Sequence, residues 1–137
     1  MKLNTKTRYG IRTMVEIALK DPKGVYQKEI ARNQNISFKY LDQIVSSLKA
    51  ADLITNLKGK KSGYVLNLPR EDITIYKIYR AFQPKICIVD CLKENYQCKA
   101  QNSCITKPFW EGLNGLILNY FQEYTLQDLI DGKVREI

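Results

Sequence analysis

The sequence contains no histidine. Histidine is the side chain that most often acts as a general acid or base, and it commonly activates a serine or cysteine nucleophile. Its absence also excludes every histidine ligand to a metal ion. None of the 7 glycines falls in a glycine-rich phosphate-binding pattern. We therefore expect that the chain is not an enzyme and has no small-molecule substrate.

Long apolar runs are absent as well. No stretch approaches the roughly 20 apolar residues that a membrane-spanning helix needs, and no apolar run of a signal peptide follows the first residues. We expect a cytoplasmic protein with no membrane partner. Thiols stay reduced in the cytoplasm, so clustered cysteines there indicate a metal or redox site rather than a disulfide framework.

All four cysteines lie within one stretch, from Cys87 to Cys104, with the spacing C-x3-C-x6-C-x5-C. Only Cys87 and Cys91 have the spacing of a zinc knuckle. An iron–sulfur cluster tolerates irregular spacing because it presents several iron atoms to the protein. The residues between the cysteines are polar and predict an exposed loop. The spacing favours cluster ligation first, thiol redox sensing second and zinc third.

Positive charge is concentrated in the N-terminal half. Residues 1–70 contain 14 Lys and Arg against 5 Asp and Glu, a net charge of +9, whereas residues 71–137 have a net charge of −1. A concentrated basic module attracts polyanions because their counterions are released on binding. The charge indicates a nucleic-acid partner; the alternative is a basic surface that only aids solubility.

Three helical segments precede residue 51. The first spans residues 6–20 with Thr5 as its predicted cap, and the second spans residues 27–33. The third follows Ser37 as N-cap and has a buried stripe of Leu41, Ile44, Val45 and Leu48. This pattern is typical of a helix-turn-helix, although it also fits a plain three-helix core. The third helix would present Ser37, Lys39, Tyr40 and Gln43 to double-stranded DNA.

A β-hairpin is predicted next. Residues 53–57 and 64–68 are compatible with two strands, and the turn between them carries three lysines. A hairpin directly after a helix-turn-helix is a wing, and its lysines suit the phosphate backbone. The predicted phosphate contacts, from the N-terminus and the wing, are Lys2, Lys6, Arg8, Lys58, Lys60 and Lys61.

Two more helices are predicted in the C-terminal half. Glu71 and Asp72 would cap and begin a helix that ends before Pro84. A long helix from Thr106 to about Tyr124 has an apolar stripe that predicts a homodimer interface, with an intramolecular core helix as the alternative. A short helix over residues 126–130 follows.

The predicted fold is mainly α with a small β-hairpin. Its parts are a winged helix-turn-helix domain (1–84), a cysteine-rich cluster-binding loop (85–106), and a long dimerisation helix with the C-terminal tail (107–137).

Several motifs together resemble the iron–sulfur cluster regulator family that includes IscR, NsrR and CymR. They are Leu3–Gly10, Ile36–Gln43, Gly63–Leu66, the run of Cys91, Cys98 and Cys104 with Ile105 and Thr106, and the ending Thr125–Leu129. The resemblance spans nearly the whole chain. It implies a dimeric winged-helix transcription regulator of bacteria, in which Cys91, Cys98 and Cys104 hold an iron–sulfur cluster, most often 2Fe-2S.

The fourth cluster ligand departs from the family pattern. IscR-type members place a histidine three residues after the third cysteine, and this chain has Lys107 there. NsrR-type members use an aspartate from the first helix of the partner subunit, at a position where this chain has Arg8. Cys87 is one candidate for the fourth ligand, although residues 86–89 also read as a buried apolar strand. The other candidates are Asp90, Glu94 or a residue of the partner subunit.

The function predicted from these features is a cluster-dependent transcriptional repressor that senses iron–sulfur, redox or nitric oxide status. One alternative is a cluster-free, CymR-like regulator that responds to thiol oxidation or to a protein partner. An alternative from another class is a basic adaptor that uses the winged helix to bind a protein.

Overall fold

A computed structural model describes residues 2–58 and 63–135 of the chain. Over these residues it has six α-helices, two strands and two short 3₁₀ turns. The helices and strands, in chain order, are α1 (Thr5–Lys20), α2 (Gln27–Gln34), α3 (Phe38–Ala50), β1 (Ile54–Asn56), β2 (Tyr64–Leu66), α4 (Ile75–Arg80), α5 (Lys107–Glu123) and α6 (Leu126–Ile130). The prediction of a mainly helical fold with one small hairpin is confirmed.

The core lies between the first three helices and the hairpin. Met14 and Ile17 of α1 pack with Ile30 of α2 and with the predicted stripe of α3, which is buried at all four positions. The strands pair antiparallel with Ile54 opposite Leu66. The helical periodicity of the apolar residues therefore determines which face of each helix turns inward.

The helix caps explain where α1 and α3 begin. Ser37 caps α3, as predicted, because its hydroxyl accepts a hydrogen bond from the Tyr40 amide at 3.0 Å. The sequence predicts Thr5 as the cap of α1, but Thr5 is the first helical residue. The cap is Asn4, whose Oδ1 accepts from the Thr7 amide at 2.7 Å. Both Asn and Thr satisfy an otherwise unpaired amide in this way, so the pattern alone does not separate them.

The fourth helix differs from its prediction. Glu71 and Asp72 lie in a 3₁₀ turn, and α4 begins only after Thr74, whose hydroxyl accepts from the Lys77 amide. The interruption has a long-range cause: the Leu126 amide donates to the Ile73 carbonyl at 2.8 Å, and the Ile75 amide donates to the Tyr124 carbonyl at 2.9 Å. This pairing holds Ile73 and Thr74 in an extended conformation, so the helix cannot begin before Ile75.

The two C-terminal helices behave differently. No residue of α5 is buried, and the helix contacts the rest of the chain through pairs such as Phe121 with Tyr79, whose rings are 5.3 Å apart. Helix α6 returns to the core, where Leu126 is fully buried. A capping box at Thr125 and Asp128 starts α6.

Gly10 of α1 allows the chain after α4 to pack closely. A Cβ atom at position 10 would overlap the ring of Phe82. We expect Gly10→Ala to lower the free energy of unfolding by about 1–3 kcal/mol, because overpacking a fitted contact displaces both partners. Chemical denaturation measures the change.

The matched control is the same substitution in a Phe82→Ala background. With the ring removed, Gly10→Ala is expected to be neutral or to stabilise α1 by up to about 1 kcal/mol, since alanine has the higher helix propensity. An equal decrease in both backgrounds would contradict the proposed overlap.

Candidate DNA-binding surface and cysteine loop

Helix α3 presents a polar face beside the hairpin. Lys39 and Gln43 are exposed and lie one turn apart, and Ser37 is exposed at the cap. The opposite face is buried in the core. The arrangement matches a recognition helix whose first two turns are free to enter a groove.

Tyr40 is placed differently from its neighbours. The sequence puts it on the outward face, yet its ring is half-buried and meets the Tyr9 ring edge to face, with the centroids 6.1 Å apart. The guanidinium of Arg12 lies over the other ring, 4.9 Å from the Tyr9 centroid. Tyr40 therefore joins α3 to the basic face of α1.

The predicted phosphate contacts are distributed over two elements. Lys2, Lys6 and Arg8 are all exposed at the start of α1. Lys58 is exposed at the end of the first hairpin strand. Lys60 and Lys61 lie outside the described residues, so their predicted role stays a prediction. The exposure of the other four side chains agrees with the charge distribution, which indicates a polyanion as the partner.

Gln27 links three elements in a way that was not predicted from the sequence. This residue begins α2 and is 9% exposed. Its side chain contacts both α3 and the hairpin through Phe38, Asp42 and Tyr64. Its sequence context carries no signal, because glutamine at the start of a short helix is ordinarily a solvated residue.

The cysteine loop has little regular structure. One 3₁₀ turn, Asp90–Leu92, contains Cys91, and all four cysteines are free and partly exposed. The interpretation of residues 86–89 as a buried strand is wrong: they form no strand, and only Ile86 is buried.

Asn114 of α5 holds the start of the loop. Its Oδ1 accepts from the Ile88 amide at 2.9 Å, and its Nδ2 donates to the Ile86 carbonyl at 3.3 Å. The backbone on both sides of Cys87 is thereby attached to α5, and the Cys87 thiol donates to the Val89 carbonyl at 3.0 Å. Asn114 was not predicted from the sequence. Its one signal is that it is a carboxamide among the apolar residues of α5.

Cys104 lies at the other end of the loop, just before α5. Its Sγ is 3.3 Å from the Thr106 hydroxyl. Hydrogen bonds from Thr106, and then from the Lys107 backbone, hold the pKa of this thiol below its ordinary value, and the Lys107 charge acts in the same direction. The thiolate is the form that binds metals and reacts with oxidants.

The other candidate ligands are already paired. The Lys93 ammonium bonds to Asp90 and lowers the pKa of that carboxyl group. Glu94 is 3.4 Å from the Lys85 ammonium, and Lys107 is 3.8 Å from Glu111. Among the described residues, no three His, Cys, Asp or Glu side chains are placed together so as to hold a metal ion. The three predicted cysteine ligands are therefore on one loop but do not form a preassembled site.

None of the helices in the described ranges has the length and apolar character needed to cross a membrane.

The chain is similar in sequence to a known protein family. A family model described as "Iron-dependent Transcriptional regulator", named Rrf2, matches residues 3–132. Protein rrf2 of Nitratidesulfovibrio vulgaris is 34% identical over 131 residues, which cover 95% of this chain and 87% of that protein. The regulator IscR of Vibrio atlanticus is 31% identical over 139 residues, which cover 100% of this chain and 80% of IscR.

Two solved structures share the fold. CymR of B. subtilis superposes with a TM-score of 0.75 at 30% identity, covering 94% of this chain and 95% of CymR. IscR of T. potens superposes with a TM-score of 0.74 at 28% identity, covering 98% of this chain and 89% of IscR.

These relatives confirm that the fold is a winged helix and that the chain is a DNA-binding regulator rather than an enzyme. The chain belongs to the Rrf2 family of transcriptional regulators.

Proposed function

We propose that the protein is a homodimeric repressor whose affinity for operator DNA depends on an iron–sulfur cluster. The observation that carries the proposal is the placement of a recognition helix, with Lys39 and Gln43 exposed, on the same chain as three partly exposed cysteines. Such a regulator acts in the cytoplasm, where the chromosome is. The relatives named above are regulators, which favours DNA over a protein as the ligand of the winged helix.

The DNA contacts follow from the exposed side chains. The start of α3 enters the major groove, where Gln43 can pair with adenine and Lys39 with guanine or a phosphate. Ser37 and Tyr40 stand at the edge of the same surface. Lys2, Lys6, Arg8 and the wing lysines Lys58, Lys60 and Lys61 neutralise phosphates and fix the register.

The two kinds of contact predict different effects. Gln43→Ala is expected to weaken operator binding by about 1–3 kcal/mol and to relax the preference at one base pair. Lys6→Ala is expected to weaken binding to all sequences and to reduce the slope of log K against log salt by about 0.9. Fluorescence anisotropy over a salt series measures both, on a duplex recovered from genomic DNA by the wild-type protein.

The outcomes separate the roles. If Gln43→Ala changes the salt slope and leaves the base preference intact, α3 is not the reading helix. A wild-type protein that retains no genomic fragment would refute the DNA-binding proposal as a whole.

The second copy of the chain is expected to cover α5. Phe109 and Leu116 are 65% and 70% exposed, and Leu113 and Tyr120 lie on the same stripe. Large apolar side chains in a row mark an interaction surface. A two-fold dimer would carry two recognition helices to half-sites one or more helical turns apart.

The proposed cluster ligands are Cys91, Cys98 and Cys104. The donor chemistry fits, because iron–sulfur clusters are held by thiolates, and the hydrogen bonds at Cys104 favour that form. When bound, a cluster, most simply 2Fe-2S, would supply iron–thiolate bonds that are sensitive to redox state and to nitric oxide. Because the side chains do not lie together beforehand, the loop has to rearrange on loading, and α5 is attached to that loop through Asn114.

Cys87 is proposed to be a structural thiol. Asn114 holds the backbone of its two neighbours, Ile86 and Ile88, and the Cys87 thiol proton is directed at the Val89 carbonyl. The fourth ligand is then a group outside these four cysteines: Asp90, Glu94 or a residue of the partner subunit.

A second candidate function is a cluster-free thiol sensor. The lowered pKa of the partly exposed Cys104 favours it. The similarity to CymR also favours it, because CymR is described as the global cysteine regulator of B. subtilis and has been solved in an oxidized form from Staphylococcus aureus. Iron and sulfide analysis of protein purified without oxygen decides between the two: both elements present in the cluster regulator, neither in the thiol sensor.

A further inference from the structure

We propose that Gln27 is the positioning residue that sets the wing at a fixed angle to the recognition helix, and so decides whether both can contact one DNA duplex. The inference deepens the proposed DNA-binding function and rests on it. Gln27 is buried and acts through α3 and β2.

The geometry is that of a three-way bridge. The Gln27 amide nitrogen lies 3.4 Å from the Phe38 carbonyl and 3.4 Å from Asp42 Oδ1, so its two hydrogens face the first turns of α3. Its Oε1 accepts a hydrogen bond from the Tyr64 hydroxyl of β2 at 3.0 Å. One buried carboxamide thus uses both its donors on the recognition helix and its acceptor on the wing.

Tyr64 is itself held firmly. It is 9% exposed, its backbone exchanges two hydrogen bonds with Val25, and the Lys49 ammonium lies 4.9 Å from its ring centroid. Burial, together with the nearby Asp42 carboxylate, raises the pKa of the Tyr64 phenol. The phenol therefore keeps its proton and stays a donor to Gln27.

The bridge lies where a small change in the angle between α3 and the wing would shift the wing relative to the DNA. The start of α3 is the part expected in the groove, and Tyr64 is the first residue of β2, the strand that follows the hairpin turn. A buried polar group that is fully satisfied holds its partners in one arrangement. Other hydrogen bonds, from Asn67 to the Asp52 and Ile54 carbonyls, hold the base of the hairpin but do not reach the first turn of α3.

The test uses two variants of the full-length protein. Gln27→Met keeps the length of the side chain and removes all three hydrogen bonds, whereas Tyr64→Phe removes only the hydroxyl and keeps the ring. Each is expected to weaken binding to the genomically selected duplex by about three- to tenfold, in line with the removal of buried hydrogen bonds. Each is also expected to reduce the salt slope by about 0.9 for every phosphate that the wing no longer neutralises.

Asn67→Ala is the matched control. It also removes a carboxamide that donates two hydrogen bonds at the hairpin, but Asn67 is exposed, so it should lower the melting temperature less and leave the salt slope at the wild-type value. Hydroxyl-radical footprinting should show weaker protection at the wing phosphates in Gln27→Met and Tyr64→Phe only.

The outcomes are distinct. If the wild type binds and both variants keep its salt slope and footprint, or if Asn67→Ala weakens the same wing protection, the positioning role is wrong while DNA binding stands. If the wild type binds no genomic duplex, the proposed function fails and this inference fails with it.

Discussion

When the protein is reconstituted with iron and sulfide without oxygen, the wild type is expected to acquire visible absorption, and Cys98→Ala is expected to lack it. Cys98 lies in the middle of a loop that has no regular structure around it. The thiolates of the loop would therefore be its main attachment to a cluster. Removing outer-shell partners alone lowers metal affinity by about 10–100-fold. Removing a direct ligand should reduce the bound iron by at least about tenfold.

Cys87→Ser is the control for Cys98→Ala, because it changes a cysteine of the same loop that is not a proposed ligand. Serine keeps a hydrogen-bond donor to the Val89 carbonyl, and the Asn114 side chain bonds only to backbone atoms on either side. The Cys87→Ser protein is therefore expected to bind as much iron as the wild type. Disappearance of the spectrum in Cys87→Ser would make Cys87 the fourth ligand.

Unchanged absorption in Cys98→Ala would contradict Cys98 as a cluster ligand. A wild-type protein that holds neither iron nor sulfide after oxygen-free purification would contradict the cluster itself and leave the thiol-sensing alternative.

Leu116→Glu is expected to convert the proposed dimer into monomers. Leu116 is 70% exposed at the centre of the apolar stripe of α5, and two copies of the substituted helix would place carboxylates against an apolar surface and close to each other. Central apolar contacts of this kind are worth about 2 kcal/mol or more. Sedimentation equilibrium measures the dissociation constant.

The loss of affinity for operator DNA in Leu116→Glu should be larger than the change in the dissociation constant of the dimer. A dimer that reads two half-sites gains about 10²–10⁴ in affinity over one reader. Leu116→Glu should forfeit that gain while leaving binding to a single half-site intact. Gln122→Glu is the control, because it adds the same charge at an exposed position about a third of a turn away from the stripe. Equal dissociation in both variants would place the interface elsewhere.

The helix-turn-helix could be predicted because its signals are local. The stripe of α3 has a spacing that permits only one buried face, and Ser37 supplies the cap that a helix start requires. The exposure of Lys39 and Gln43 follows from the same spacing. The placement of Tyr40 does not, because its ring is drawn toward Tyr9 of another helix.

The same contrast holds in the second half of the chain. Periodicity places α5 and the short helix over residues 126–130 correctly. They extend α4 backward over Glu71 and Asp72, because nothing in the sequence signals that residues 73–75 pair with residues 124–126 from the other end of the chain.

The class of this protein could be predicted from its sequence: a basic winged-helix module, a polar loop that holds every cysteine, and an apolar helix after it. Spacing and composition predict those features, because they depend on neighbours along the chain. How the parts are joined depends on the folded structure, through Gln27 between α3 and the wing and through Asn114 between the cysteine loop and α5. A carboxamide becomes a bridge only when folding brings distant partners within hydrogen-bond distance and excludes the water that would compete for them.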